Sequence, residues 1–149
     1  MNLFQFTPLT TTPAELDIAS AAIGDDTQQA SSDFDIGKAV KLGDEQNYIL
    51  CTAGDEIEGF INTVSPQTVN DGYSFGGIQR RKRIMAEVGA NQGGTAMAVL
   101  DYVVADDQVA FGTKGVAQVK TGTPTSYLWR VLRVDGDGTT GTAVLLERQ

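Results

Sequence analysis

From residue 34 onward, apolar side chains recur at alternate positions in runs of strand length, and each run is closed by a turn rich in Gly, Asp or Asn. A period of two is that of a strand with one buried face. The pattern predicts strands at 36–42 and 48–51, joined by a turn at 43–47, and at 56–64 after the Gly54-Asp55 turn. Pro66 is expected to end that ladder, because proline has no N–H to donate. Further strands are predicted at 72–78, 83–88, 109–111, 115–120, 127–134 and 142–148. The stretch 95–105 has apolar spacing that also fits a helix, but its β-branched end and Tyr102 favour a strand.

About nine short strands at near-regular spacing describe an all-β fold, either a small β-barrel or a β-sandwich. The period does not choose between the two. Gly54-Asp55-Glu56 and Ala105-Asp106-Asp107 each introduce a strand but share nothing longer, so no internal repeat is expected. Residues 1–32 differ in composition, Thr-rich at first and then small and polar, and read as an extended N-terminal arm; 33–149 read as the domain. Within the arm, 13–19 fit a short helix with Thr12 as N-cap and Glu15 completing a capping box. Phe4, Phe6 and Leu9 lie in a segment too short to bury them, so they are expected to dock on this domain or on a neighbouring subunit.

Composition narrows the chemistry. The chain of 149 residues contains no histidine and one cysteine, which excludes Ser-His-Asp catalysis, histidine metal sites and an intrachain disulfide. A net charge of −8 repels a phosphate backbone and an anionic membrane alike, so neither nucleic acid nor membrane is an expected partner. No segment has the roughly 18 apolar residues of a spanning helix, and the first residues lack the basic start of a signal peptide, so synthesis in the cytoplasm is expected.

The remaining motifs weigh against catalysis. Gly136-Asp137-Gly138-Thr139-Thr140-Gly141 has the letters of a dinucleotide fingerprint, but residues 142–148 have a strand pattern where a helix is needed. Asp135-Gly136-Asp137 opens like a calcium loop, yet Thr140 holds the glycine position and Leu146 that of the closing glutamate; turn chemistry explains both. The acidic pairs Asp25-Asp26, Asp44-Glu45, Asp55-Glu56 and Asp106-Asp107 sit at predicted turns, where carboxylates are solvated. Cys51 lies in an apolar run and reads as a buried hydrophobe. Trp129, in phase with Tyr127 and Val131, reads as a core or interface anchor. Arg80, Arg81, Lys82 and Arg83 concentrate four of eleven basic residues. Such a run protects a strand edge from stray pairing, or docks an acidic partner surface. No catalytic set, cofactor or metal site is expected.

From residue 33 the order of segments resembles the capsid decoration, or cement, proteins of tailed bacteriophages. The likeness is carried by Asp35-Ile36-Gly37-Lys38-Ala39-Val40-Lys41-Leu42, by Gly54-Asp55-Glu56-Ile57-Glu58-Gly59-Phe60-Ile61 and by Gly72-Tyr73-Ser74-Phe75-Gly76. Trp129-Arg130-Val131 and Val144-Leu145-Leu146-Glu147-Arg148 continue it. The resemblance implies a non-enzymatic virion protein on the outer capsid surface that bridges major capsid protein subunits. It also implies a homo-oligomer, trimer ahead of dimer. Phe4, Phe6, Leu9, Arg80, Arg81, Lys82 and Arg83 are the candidate contact residues. A head fibre or adaptor is the alternative, and a small β-barrel hydrolase a more distant one. The long arm departs from the pattern of a compact plug.

Overall fold

Main-chain hydrogen bonding closes the alternating runs into two five-stranded barrels. The computed structural model describes residues 18–24, 36–44, 47–68, 74–80, 83–108 and 115–149. The first barrel comprises β1 (Ile18–Ile23), β2 (Ala39–Leu42), β3 (Tyr48–Leu50), β4 (Gly59–Thr68) and β5 (Ser74–Gln79). The second comprises β6 (Arg83–Val88), β7 (Tyr102–Ala105), β8 (Ala117–Thr121), β9 (Trp129–Asp135) and β10 (Ala143–Arg148). The all-β expectation is met, with barrels as the architecture.

The second barrel repeats the plan of the first. Around the first the order is β1-β3-β2-β4-β5 and back to β1, with β1 and β3 parallel and the other neighbours antiparallel. Around the second it is β6-β8-β7-β9-β10 and back to β6, with β6 and β8 the parallel pair.

Register agrees residue by residue. Val40 pairs with Leu50 on one side and Gly59 on the other, as Val103 pairs with Thr121 and Trp129. Ile23 opposes Tyr48 as Val88 opposes Val119. Ala21 opposes Gly76 as Ala86 opposes Val144. Even the irregularity recurs: Asn62 is the extra residue between the Ile61–Ile78 and Thr63–Gly77 pairs, and Leu132 between Val131–Leu146 and Arg133–Leu145. A bulge increases local twist and bends a strand, so β4 and β9 are irregular at the equivalent point.

Hydrogen bonds outside the ladders match too. Gly24 N–H donates to Tyr48 and Gly89 to Val119, at 2.8 and 2.7 Å; Cys51 donates to Ala39 and Gly122 to Tyr102, both at 3.0 Å.

Packing follows from this register. Ile23, Val40, Tyr48, Leu50, Ile61 and Ile78 form the core of the first barrel. Their equivalents Val88, Val103, Val119, Val131 and Leu146 lie in the core of the second, and Thr121 stands where Leu50 does. Ala39, Cys51 and Phe60 alternate with Val40, Leu50 and Ile61, so they point out of the first barrel. They are fully buried all the same, because they pack into the core cluster of the second. Phe60 meets the ring of Trp129 edge-on, with centroids 4.8 Å apart and an interplanar angle of 89°, a geometry worth about 0.5–1.5 kcal/mol beyond area burial.

Several expectations are corrected. The segment 18–23, assigned to the arm and in part to a helix at 13–19, is strand β1, paired along its whole length with β5. Its Ala and Ser residues carry little strand signal; Ser20 and Ala21 sit opposite Gly77 and Gly76, where small residues meet small. The remainder of 13–17, and the strand predicted at 109–111, lie outside the described residues. The unit at 33–149 is not one barrel or sandwich: β2 to β5 belong to one barrel and β6 to β10 to another. Pro66 does not end its ladder. β4 continues to Thr68, and a register shift between Val64 and Thr68 accommodates the missing donor. Only Tyr102–Ala105 of the stretch 95–105 is strand, because Met97 N–H is held by Gly138 O and Leu100 N–H by Val131 O, which turns the chain before β7.

Truncating Phe60 should cost both barrels at once. Phe60→Ala is expected to lower stability by about 3–5 kcal/mol, read from the midpoint of chemical denaturation at unchanged slope.

Candidate interaction surface at the barrel junction

Of the basic residues singled out from sequence, Arg80 and Arg83 lie where the chain passes from the first barrel to the second. Gln79 ends β5 and Arg83 begins β6, so the run 80–83 is the connection between barrels. Arg80 offers its carbonyl to the Arg148 guanidinium at 2.9 Å. Arg83 Nε lies 3.3 Å from Glu147 Oε2, an exposed cross-strand pair that adds little to stability. Arg81, Lys82, Phe4, Phe6 and Leu9 lie outside the described residues.

The junction itself is built from groups that sequence reading did not connect. On one side is the loop from Cys51 to Glu58, between β3 and β4; on the other are the end of β7, residues 106–108 and the loop between β8 and β9. Ala105 N–H donates to Asp55 O at 2.8 Å and Gly54 N–H to Ala105 O at 2.9 Å. Gln108, buried, ties four main-chain groups. Its Oε1 accepts from Ala39 N–H at 3.1 Å and Gln118 N–H at 3.2 Å, and its Nε2 donates to Asp106 O and Gln118 O, both at 2.7 Å. One side chain thereby satisfies donors and acceptors that no ladder reaches. Trp129 Nε1 donates to Ile57 O at 2.8 Å. Arg148, lying over the Tyr127 ring at 4.8 Å, donates to Glu58 O at 3.1 Å.

Glu56 is the charged clasp of this junction. Its carboxylate accepts from Thr125 N–H at 2.8 Å, Ser126 N–H at 2.8 Å, Tyr127 N–H at 3.1 Å and the Thr125 hydroxyl. The Thr125 hydroxyl and amide, then Ser126 and Tyr127, hold its pKa down at about 2. Sequence reading placed Glu56 in a solvated acidic pair; its partners, about seventy positions along the chain, left no local signal. Its neighbour Asp55 is engaged within the first barrel, 2.8 Å from Lys41 Nζ.

The other candidate groups are occupied structurally. Burial raises the Cys51 thiol far above its ordinary range, against the outer wall of the first barrel. Tyr48 is likewise raised, by burial first and then by its hydrogen bond to Glu58 at 3.0 Å. The Gly136–Gly141 segment joins β9 to β10, and Asp137 within it accepts from Thr139 and Thr142. Those same bonds lower the Asp137 carboxyl, Thr139 first. Among the described residues, no group of three or more Cys, Asp or Glu is placed to hold a metal ion. No described helix is long and apolar enough to cross a membrane.

No family model matches this chain, and neither curated proteins nor solved structures give a significant match.

Two outcomes test the junction. Gln108→Leu strands buried N–H and C=O groups, so a loss of at least about 2 kcal/mol is expected, with faster hydrogen exchange at Ala39 and Gln118. The Glu56 carboxyl is depressed in the folded state, so its contribution is complete above about 4.5 and disappears as the pH falls toward about 2. Glu56→Gln should therefore melt below the unmodified protein at pH 7, and the gap should narrow steadily as the pH is lowered through that window.

Proposed function

We propose that this chain is a non-catalytic structural protein of the phage capsid type, a decoration protein that bridges neighbouring major capsid subunits from outside. The observation that carries the reading is the pair of equal-plan barrels fixed to one another by a buried junction. Two similar faces in a set orientation are what a bridge across a lattice of repeated subunits requires. A rigid link turns the second contact into an intramolecular event, so affinity rises without stronger individual contacts. The segments that carry the resemblance include β2, the junction loop with the start of β4, and parts of β9 and β10. Acidity suits a protein that stays soluble at high concentration. The basic connection at 80–83 supplies a local site for an acidic capsid surface, with Phe4, Phe6 and Leu9 adding apolar contacts.

Binding only to the assembled lattice stabilises that state by mass action. Purified protein added to heads that lack it should sediment with them and raise the temperature at which filled heads release DNA. The gain should grow with free protein until the sites fill. Replacing Arg81 and Lys82 by Glu should weaken attachment and flatten its salt dependence. Heads that bind nothing, or that open at the same temperature with and without the protein, would overturn the bridging role.

A further inference from the structure

Matching rows of the two barrels are used differently. Around the first barrel Ile18, Gln79, Phe60 and Ala39 stand side by side in register, and the equivalent row of the second is Arg83, Glu147, Arg130 and Tyr102. Phe60 and Ala39 are fully buried against the second barrel. Arg130 and Tyr102 alternate with the core residues Trp129, Val131 and Val103, so they point out of theirs, and Tyr102 is 38% exposed. Where one row closes the junction with an apolar pair, the other carries a guanidinium and a phenol.

The Arg130 guanidinium has no ion-pair partner among the described residues. Its central carbon lies 5.8 Å from the centroid of the Tyr102 ring, and its Nε is buried with no hydrogen-bond partner among those residues. Two carboxylates stand next to it in the fold, and both are engaged elsewhere. Glu147, its partner in register, lies 3.3 Å from Arg83 Nε, and Asp101, the residue before Tyr102, accepts from Ala98 N–H at 2.8 Å. A guanidinium held over an aromatic ring is a fork of donors in a set orientation, and the group that matches it is a planar anion taken through two hydrogen bonds.

An apolar turn borders this pair. Leu100 N–H donates to Val131 O at 2.8 Å and Val131 N–H to Asp101 O at 2.9 Å, which lays the turn beside Arg130. In the first barrel Gly37 and Lys38 hold Ile61 by the same two bonds, at 2.7 and 2.9 Å. Gly37 and Leu100 are both left-handed, with φ of +96° and +78°, a conformation that glycine takes without cost and that strains a leucine. The preceding residues, Ile36 and Val99, are exposed alike, so the turns differ in the second residue. A Cβ on Gly37 would collide with Gly115 O, whereas Leu100 keeps its side chain and is 57% exposed.

We infer that Arg130 and Tyr102, bordered by Leu100, form the site at which this chain takes a carboxylate side chain of the capsid subunit. The assignment rests on the bridging role proposed above and names the face and the chemistry of one contact. A chain of net charge −8 repels the polyanion of a nucleic acid. A single acidic side chain set among apolar ones meets Arg130 with its charge and Leu100 and Tyr102 with its surroundings. Arg and Tyr are the side chains that concentrate binding energy at protein contacts. Arg83, at the far end of the row, continues it to the basic connection at 80–83, so the attraction of that run steers an acidic partner toward Arg130. The strained backbone at Leu100 keeps an apolar side chain at the rim of the site.

Co-sedimentation of the full chain with heads that lack it, over a protein concentration series, tests this with three variants. Leu100→Gly supplies the residue of the matching turn, so it should melt unchanged or higher and yet bind more weakly. Arg130→Gln should bind at least about tenfold more weakly with little change in melting. Arg130→Lys keeps the charge, and carbodiimide treatment of its complex with heads should join the introduced amine to a capsid carboxylate. Equal affinity of Arg130→Gln and the unmodified protein would overturn the assignment and leave the bridging role standing. So would an Arg130→Lys chain that binds heads without that crosslink, or duplex-DNA binding that Arg130→Gln abolishes, which would give the site to phosphate. Unmodified protein that fails to sediment with heads would overturn the bridging role and this assignment together.

Discussion

A barrel that closes on itself has spent its strand edges, so two barrels in one chain cannot join by extending a sheet. They must join through side chains and through the few main-chain groups that loops leave over. Phe60 meets that constraint. It stands on the outer wall of its own barrel, is fully buried, and sits edge-on to Trp129 within the core cluster of the next. Gln108, the Ala105 pair with Gly54 and Asp55, and the Glu56 clasp bind the polar groups that this packing takes out of water. An unpaired buried amide costs more than a paired one gains, so the polar partners hold the packing in one arrangement and resist alternatives.

Strand content was legible because inward positions alternate along the sequence, and the 83–88 strand needed nothing more. The duplication was not. Equivalent residues are identical at few places, among them Val40 with Val103, Gly24 with Gly89 and Arg80 with Arg148. What recurs is inwardness: Ile for Val, Tyr for Val, Ile for Leu. Loops of unequal length then shift the spacing from one element to the next, so no fixed period survives. Strand β1 was hidden for a related reason, since small residues opposite glycines satisfy the pleat without a hydrophobic pattern. The junction was illegible on principle, because Glu56 and Gln108 look like turn residues until the loops that answer them are brought alongside.

Equal plans with unequal outer faces suggest how such a chain divides its labour. One copy of the outer wall is given to the internal junction, where glycine at position 37 allows main chain to approach main chain. The other carries Leu100 at a strained φ and stays open to solvent. A residue retained against backbone preference points to a use outside the fold's own stability. The basic connection between barrels adds a feature of opposite sign to an otherwise acidic molecule. Structural bridging uses both kinds of feature: apolar contacts that persist in salt, and charges that set approach and orientation.

The junction makes two barrels one cooperative unit, and the most direct test of that unity tracks two signals through one denaturant titration. Fluorescence of the single tryptophan, Trp129, reports the junction and the second barrel, while amide resonances of Val40, Leu50 and Ile78 report the core of the first. Coincident midpoints and slopes are the expected result. Separate transitions, with the first barrel losing its amide signals while Trp129 remains native, would contradict it.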